Sequence, residues 1–262
     1  MTIKIKTEEE IIKMRVAGKL AAEVLDYITP FVTEGVTTLK LNQLCHDYIV
    51  DVQQAIPAPL HYQPHSSVIP FPYSICTSLN HEVCHGYPND KILKSGDILN
   101  IDVTVIKDGY HGDTSRMFCI GEVSDIAKRL VDTTYQAMYK GIDQVKPNNY
   151  VGDIGHAIQI YAESEGYSVV REFCGHGIGL DFHEDPQILH YGKAKTGIKL
   201  VAGMIFTIEP MINQFSKNIK MAKNGWIAMT KDKGLSAQWE HTILVTQNSY
   251  EILTQSPHIH DD

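Results

Sequence analysis

Apolar positions recur every three to four residues in two stretches near the N-terminus and again in two stretches past the midpoint. In the first, Ala17, Leu20, Ala21, Val24, Leu25 and Ile28 share one face at helical spacing. Thr7, with Glu10 three positions on, makes a capping box ahead of that run. Pro30 ends the helix, because a proline cannot continue the backbone ladder. A second helix is predicted from Thr38, with Leu41, Leu44, Cys45, Tyr48 and Ile49 as its apolar stripe. Two more are predicted over 124–142 and 151–166. Between the helix pairs the period changes. Residues 55–72 carry five prolines, at 57, 59, 64, 70 and 72, which makes the segment a loop or an edge. Residues 98–106 and 111–120 read as strands around Asp108-Gly109, a dipeptide that favours a two-residue hairpin turn. Strand-like runs return at 168–173, 204–208, 227–229 and 240–246.

The order helix, helix, strands therefore occurs twice, with first helices starting near 7 and 124 and second helices near 38 and 151. A duplicated half-domain follows, with halves of about 1–122 and 123–250 inside one domain covering 1–262. No low-complexity linker separates them. A fold of this kind places a site between its halves.

Composition narrows the class. A chain of 262 residues can bury a substantial core. With 43% hydrophobic and 21% charged residues, disorder is excluded as the main state. A net charge of −8 argues against a nucleic-acid partner, which needs a basic footprint. No apolar run reaches the length of a membrane helix, and the N-terminus has no apolar core of a signal peptide. The five cysteines form no C-x-x-C pair. A reduced, cytoplasmic location is expected, with no membrane partner. Thirteen histidines point to metal or proton chemistry.

The hairpin carries the first chemical signal. With Asp108-Gly109 as its turn, Asp113 lies opposite Thr104, and Asp102 shares the parity of Thr104. The two aspartates then occupy one face, about 7–8 Å apart at the backbone. The strand around Asp102 is otherwise apolar, and a buried carboxylate needs a cation or a proton. Taken singly, the other candidates are ordinary. His176 sits among three glycines in Cys174-Gly175-His176-Gly177-Ile178-Gly179, and His183 follows in Asp181-Phe182-His183-Glu184. Glu209 ends the apolar run Phe206-Thr207-Ile208, Glu240 begins another, and His85 precedes Gly86. Each would pass alone as a solvated strand end or a structural histidine. Together they supply two Asp, two Glu and imidazoles from separate strands, a donor set suited to a pair of divalent ions such as Mn, Fe, Co or Zn. Paired ions about 3.5–4 Å apart need bridging carboxylates.

The segments EEEIIKMRVAGKLAAEVL, VCHGYP, GDILNIDVTVIKDGYHGDTSRMF, CGHGIGLDFHEDPQ, GMIFTIEPM and LSAQWEHTILVT resemble the bacterial type I methionine aminopeptidases over nearly the whole length. The resemblance implies an α+β pita-bread fold, in which a central antiparallel sheet is flanked by helices around a pseudo-two-fold axis. It implies Asp102, Asp113, His176, Glu209 and Glu240 as ligands of two divalent metal ions, with Asp113 and Glu240 bridging. Glu209 would also serve as general base, and His85 and His183 would contact substrate beside the scissile amide. Phe71, Cys76, Phe182, Met211 and Trp226 would wall a pocket for the methionine side chain. The implied reaction is hydrolysis of the N-terminal methionine from nascent proteins and peptides, preferentially before a small second residue. Implied with it are a monomer and work close to the ribosome exit.

One departure from the family pattern stands out. A usually short Tyr-x-Gly-aromatic-Pro segment is here interrupted between Tyr62 and Phe71-Pro72, an insertion of about six residues, which the closure entropy of a surface loop tolerates. It falls beside the expected pocket and is expected to reshape the entrance. The chain lacks the Cys/His-rich N-terminal extension of eukaryotic type I forms and the long helical insertion of type II. Two alternatives use the same architecture: an Xaa-Pro aminopeptidase-like enzyme, which would carry a separate N-terminal domain, and a non-catalytic binding module, which would have lost ligands. Residues 257–262 are expected to be a disordered tail.

Overall fold

The structure is a computed structural model of the chain and describes residues 3–66 and 68–256. The tail at 257–262 lies outside the described residues. Four helices form where the 3.6-residue period predicts them: α1 (Glu8–Ile28), α2 (Thr38–Asp47), α3 (Asp125–Ile142) and α4 (Val151–Ser164). The α1 capping box is complete: the Glu10 amide donates to Thr7 Oγ1 at 3.3 Å, and the Thr7 amide donates to Glu10 Oε2 at 2.8 Å. Thr37 Oγ1 accepts from the Lys40 amide and Ser124 Oγ from the Ala127 amide, which caps α2 and α3. A π-turn over Tyr48–Val52 extends α2, and α4 stops two residues before the predicted Gly166.

All strand pairings are antiparallel. A four-stranded sheet is built on the hairpin Ile98–Lys107/Tyr110–Cys119, with Cys76–Leu79 and the short Ile56–Pro57 at its side. A five-stranded sheet runs Tyr250–Ile252, His241–Val245, Ile205–Ile208, Gly175–Gly177, Glu184–Ile188. Two three-stranded sheets complete the β structure. The expected strand at 168–173 shrinks to Ser168–Val169.

Two trios of strands share one order of pairing. Cys76–Leu79 pairs with Ile98–Lys107, which pairs with Tyr110–Cys119. In the second half Gly175–Gly177 pairs with Ile205–Ile208, which pairs with His241–Val245. Each trio follows a helix pair. The trios meet at a seam: Ser115 bridges Glu240, Thr114 Oγ1 donates to the Glu240 carbonyl at 2.7 Å, and Thr242 Oγ1 donates to the Asp113 carbonyl at 2.7 Å.

Each half has its own core. Leu99, Ile101, Val103 and Val105 of the hairpin pack with Val24, Leu25 and Ile28 of α1 and with Leu41 and Cys45 of α2. Ala127, Leu130, Met138, Ile154 and Ile158 of α3 and α4 pack on Phe206, Ile208, Ile243 and Val245. The period of two along the strands then sends the alternate residues the other way. Asp102 and Thr104 turn from the helices into a cavity, and Asn100 turns to the seam, where its Nδ2 donates to the Gln238 carbonyl at 2.8 Å. α1 approaches the hairpin closely because both surfaces lack side chains there. A Cβ on Gly112 would lie 2.3 Å from the Ala17 backbone.

Candidate metal centre and active site

A cavity of about 590 Å³ lies over the seam. Asp102, Asp113, His176, Glu209, Glu240, His85, His183, Phe71, Cys76, Phe182, Met211 and Trp226 all line it. Every residue singled out in the sequence is therefore at one place.

The acids arrive by local rules that meet through tertiary contacts. Asp108 and Gly109 both have positive φ, 50° and 83°, as a two-residue hairpin turn of this kind requires. The resulting register sets Thr104 opposite Asp113 and Asp102 opposite Ser115. Thr104 Oγ1 donates to Asp113 Oδ1 at 2.7 Å. Glu240 is held at the seam by its backbone. Glu209 follows the strand Ile205–Ile208; Thr207 Oγ1 donates to its Oε1 at 2.7 Å, and Gln238 Nε2 donates to its Oε2 at 3.4 Å.

His176 explains its glycine neighbours. A Cβ on Gly175 would meet the Thr207 carbonyl oxygen at 2.2 Å, and one on Gly177 would meet the Asp185 carbonyl oxygen at 2.2 Å. Only glycine lets this strand sit so close to its neighbours on either side. The His176 amide donates to Thr207 Oγ1 at 3.0 Å. Its Nδ1 lies 3.0 Å from the Gly177 carbonyl oxygen, which only accepts, so Nδ1 carries the proton. Burial pushes its pKa down to about 4, so the ring is neutral near pH 7. The unprotonated Nε2 then faces Asp113 Oδ2 at 3.7 Å and Glu209 Oε1 at 3.6 Å.

A lone pair facing two ionised carboxylates is repulsive unless a cation or a proton lies between them. The acids repeat the argument. Burial, followed by mutual charge, raises Asp113, Glu209 and Glu240 well above the ordinary carboxylate range. Asp102, which keeps some access to the cavity, is raised by burial to about 7. Ligand atoms of Asp113, His176 and Glu240 all lie within 4.8 Å of one another. Four carboxylates and a neutral imidazole with no basic side chain among them fit divalent cations, whose charge offsets the repulsion. Glu184 also lines the cavity, but Lys4 and Lys6 engage its carboxylate at 3.2 and 2.5 Å, which sets it apart from the cluster.

The other end of the cavity is aromatic. Phe71 meets Trp226 edge-on at 5.2 Å between centroids, and Cys76 is buried with them. His85 stands edge-on to Trp226 and Phe173, and burial lowers its pKa to about 4. His183 lies 4.2 Å from the His176 ring and is lowered to about 3, by burial first and then by the neighbouring imidazoles. Both rings are neutral at pH 7 and able to donate one hydrogen bond each.

Sequence reasoning did not assign several supporting groups. Tyr62 is one: its hydroxyl contacts His183 Nδ1 at 2.9 Å and its ring packs on Phe182. The 63–70 insertion does not displace it. The His61 amide donates to the Phe71 carbonyl at 2.7 Å and the Phe71 amide to the Tyr62 carbonyl at 2.9 Å, so the extra residues loop out from a closed base. The Ile69 carbonyl accepts from Trp226 Nε1 at 2.7 Å, and Pro64 joins the cavity wall. Thr207 shares the strand parity of Glu209, a signal legible in the sequence. His190, whose Nε2 accepts from the Glu209 amide at 3.1 Å, had no such signal.

The metallopeptidase family M24 model matches residues 12–247. The chain belongs to metallopeptidase family M24. It is similar to the methionine aminopeptidase of Rickettsia prowazekii, 58% identical over 258 residues, covering 98% of this chain and 97% of the relative. It is 54% identical over 255 residues to the methionine aminopeptidase of Escherichia coli K12, covering 97% and 94%. A crystal structure of the Rickettsia prowazekii enzyme superposes with a TM-score of 0.93, covering 97% of this chain and all of the other at 57% identity. A prolidase from Pyrococcus horikoshii shares the fold, at a TM-score of 0.73 and 22% identity, over 96% of this chain and 63% of its own. The pita-bread architecture is thus common to this M24 member and to the prolidases, as the family resemblance implied. No helix among the described residues is long and apolar enough to cross a membrane.

Proposed function

We propose that the chain hydrolyses the N-terminal methionine from nascent proteins and peptides whose second residue is small. Asp102, Asp113, His176, Glu209 and Glu240 would hold two divalent ions drawn from Mn, Fe, Co and Zn. The observation that carries this reading is the unprotonated His176 Nε2 facing Asp113 and Glu209 inside a ring of buried acids. Bound cations supply the positive charge that ionises a water near neutral pH and polarises a carbonyl.

The chain's own groups do the remaining work. Glu209, held by Thr207 and Gln238, accepts the water proton and passes it to the leaving amine. His183, oriented by Tyr62, donates to the oxygen that gains negative charge, and neutral His85 orients the amide. Phe71, Cys76, Phe182, Met211 and Trp226 receive the methionine side chain, and the burial of Phe71, Cys76, Met211 and Trp226 excludes water from it. The acids leave no room for a negatively charged terminus, whereas a free α-amino group is drawn to them, which makes the enzyme an exopeptidase. We assign the reaction to the cytoplasm, on chains leaving the ribosome, with a monomeric enzyme.

The test is methionine release from Met-Ala-Ser, Met-Leu-Ser and an Xaa-Pro peptide by metal-stripped protein reloaded with each ion in turn. Metal-dependent release from Met-Ala-Ser alone is expected. Cleavage of the Xaa-Pro peptide in its place would establish the alternative enzyme, and inactivity with every ion would establish a binding module.

A further inference from the structure

A second groove of about 260 Å³ lies beside the cavity over the acids, and Asp185 and Gln187 form walls of both. Both residues belong to Glu184–Ile188, the outermost strand of the five-stranded sheet. Strand order gives the cavity a direction. The Cys76 strand stands at one end, followed by the strands of Asp102 and Asp113. Beyond the seam come Glu240 and Glu209, then His176, then Gln187, which faces His176 in register. Phe71, Cys76 and Trp226 close the first end. The second end opens past Gln187 onto Leu189, Val151 and Ile198, with Lys193 and Thr196 beside them. Leu189 is 39% exposed there, an apolar side chain left partly open to solvent.

We propose that this groove binds the third to fifth residues of the polypeptide substrate in extended form, with apolar side chains preferred against Leu189 and Ile198. The inference rests on the methionine-removal reading. If the methionine side chain fills the aromatic end, the scissile amide lies over the acids, and the chain beyond it must leave on the side of His176 and Gln187. An extended chain advances about 3.3–3.6 Å per residue, so a few residues past the amide carry it beyond Gln187. The occupant is therefore the substrate itself, because the groove shares the Asp185 and Gln187 wall with the reaction site. The groove lets the enzyme read sequence beyond the small second residue.

The test compares Met-Ala-Ser, Met-Ala-Ser-Leu-Leu-Ser and the length-matched Met-Ala-Ser-Ser-Ser-Ser. The leucine peptide should have the higher kcat/KM by about tenfold, the effect of burying much of one leucine side chain. Leu189→Glu should bring the two hexapeptides level, and Thr196→Trp, which fills the groove, should slow both relative to Met-Ala-Ser. Equal rates for the two hexapeptides with the unaltered enzyme, or a leucine advantage that survives both variants, would overturn the groove while Met-Ala-Ser cleavage upholds the activity. Failure to release methionine from any of the three would remove the activity reading, and the groove with it.

Discussion

Asp102→Asn should make the metal-free protein more stable, by an amount that grows with pH. Burial raises the Asp102 carboxyl from 3.8 to about 7. At low pH both folded and unfolded chains hold the proton and the group contributes nothing. As pH climbs, the unfolded chain ionises first while the folded chain keeps its proton. The native state then binds more protons, and stability falls through the window between the two values. At about 1.36 kcal/mol per pKa unit, the penalty saturates near 4 kcal/mol above pH 7. Asparagine keeps the shape and has no such slope. Its advantage should widen by about 3 kcal/mol from about pH 5 to about pH 8. Removing the Asp102 charge also relieves Asp113, Glu209 and Glu240, each of which it raises, and this acts in the same direction. Urea unfolding of both proteins in chelator at several pH values reads the difference directly. Saturating manganese should reverse the order, because ligation stabilises the protein that retains the acid. An advantage that stays constant with pH, or an Asn variant less stable throughout, would refute the argument that uncompensated carboxylate charge is stored at this site.

Tyr62→Phe removes the hydroxyl that touches His183 Nδ1 at 2.9 Å; one hydrogen bond corresponds to about a fivefold fall in kcat/KM for Met-Ala-Ser, with thermal stability little changed. Deleting residues 63–68 leaves the Tyr62–Phe71 backbone pair in place but removes Pro64 from the cavity wall, so the protein should fold while its rate ratio for Met-Ala over Met-Val peptides shifts; an unchanged ratio would show that the insertion does not shape the entrance. Gly112→Ala drives a Cβ to 2.3 Å from the Ala17 backbone, and the shift of α1 off the hairpin should lower stability by about 1–3 kcal/mol in urea unfolding.

What lies within a few residues in sequence was legible there. The Thr7–Glu10 box, the α-helical stripes and the Asp108-Gly109 turn are decided by neighbours one to four residues away, and they folded as their patterns predict. From that turn alone the register of Thr104 with Asp113 follows, and with it the shared face of two aspartates. The resemblance of scattered motifs added the remaining site residues by name. Short strands such as Gly175–Gly177, Met211–Asn213 and Ser236–Gln238 have too few residues to show a period, and they exist because distant partners supply their hydrogen bonds. The proton on His176 Nδ1 depends on where the Gly177 carbonyl points. The pKa values of the acids depend on Glu240 arriving beside Ser115 across the seam. Burial and charge are properties of the space around a group. No run of residues along one strand encodes them, so the centre's electrostatics, the looped-out insertion and the groove past Gln187 came only from the folded chain.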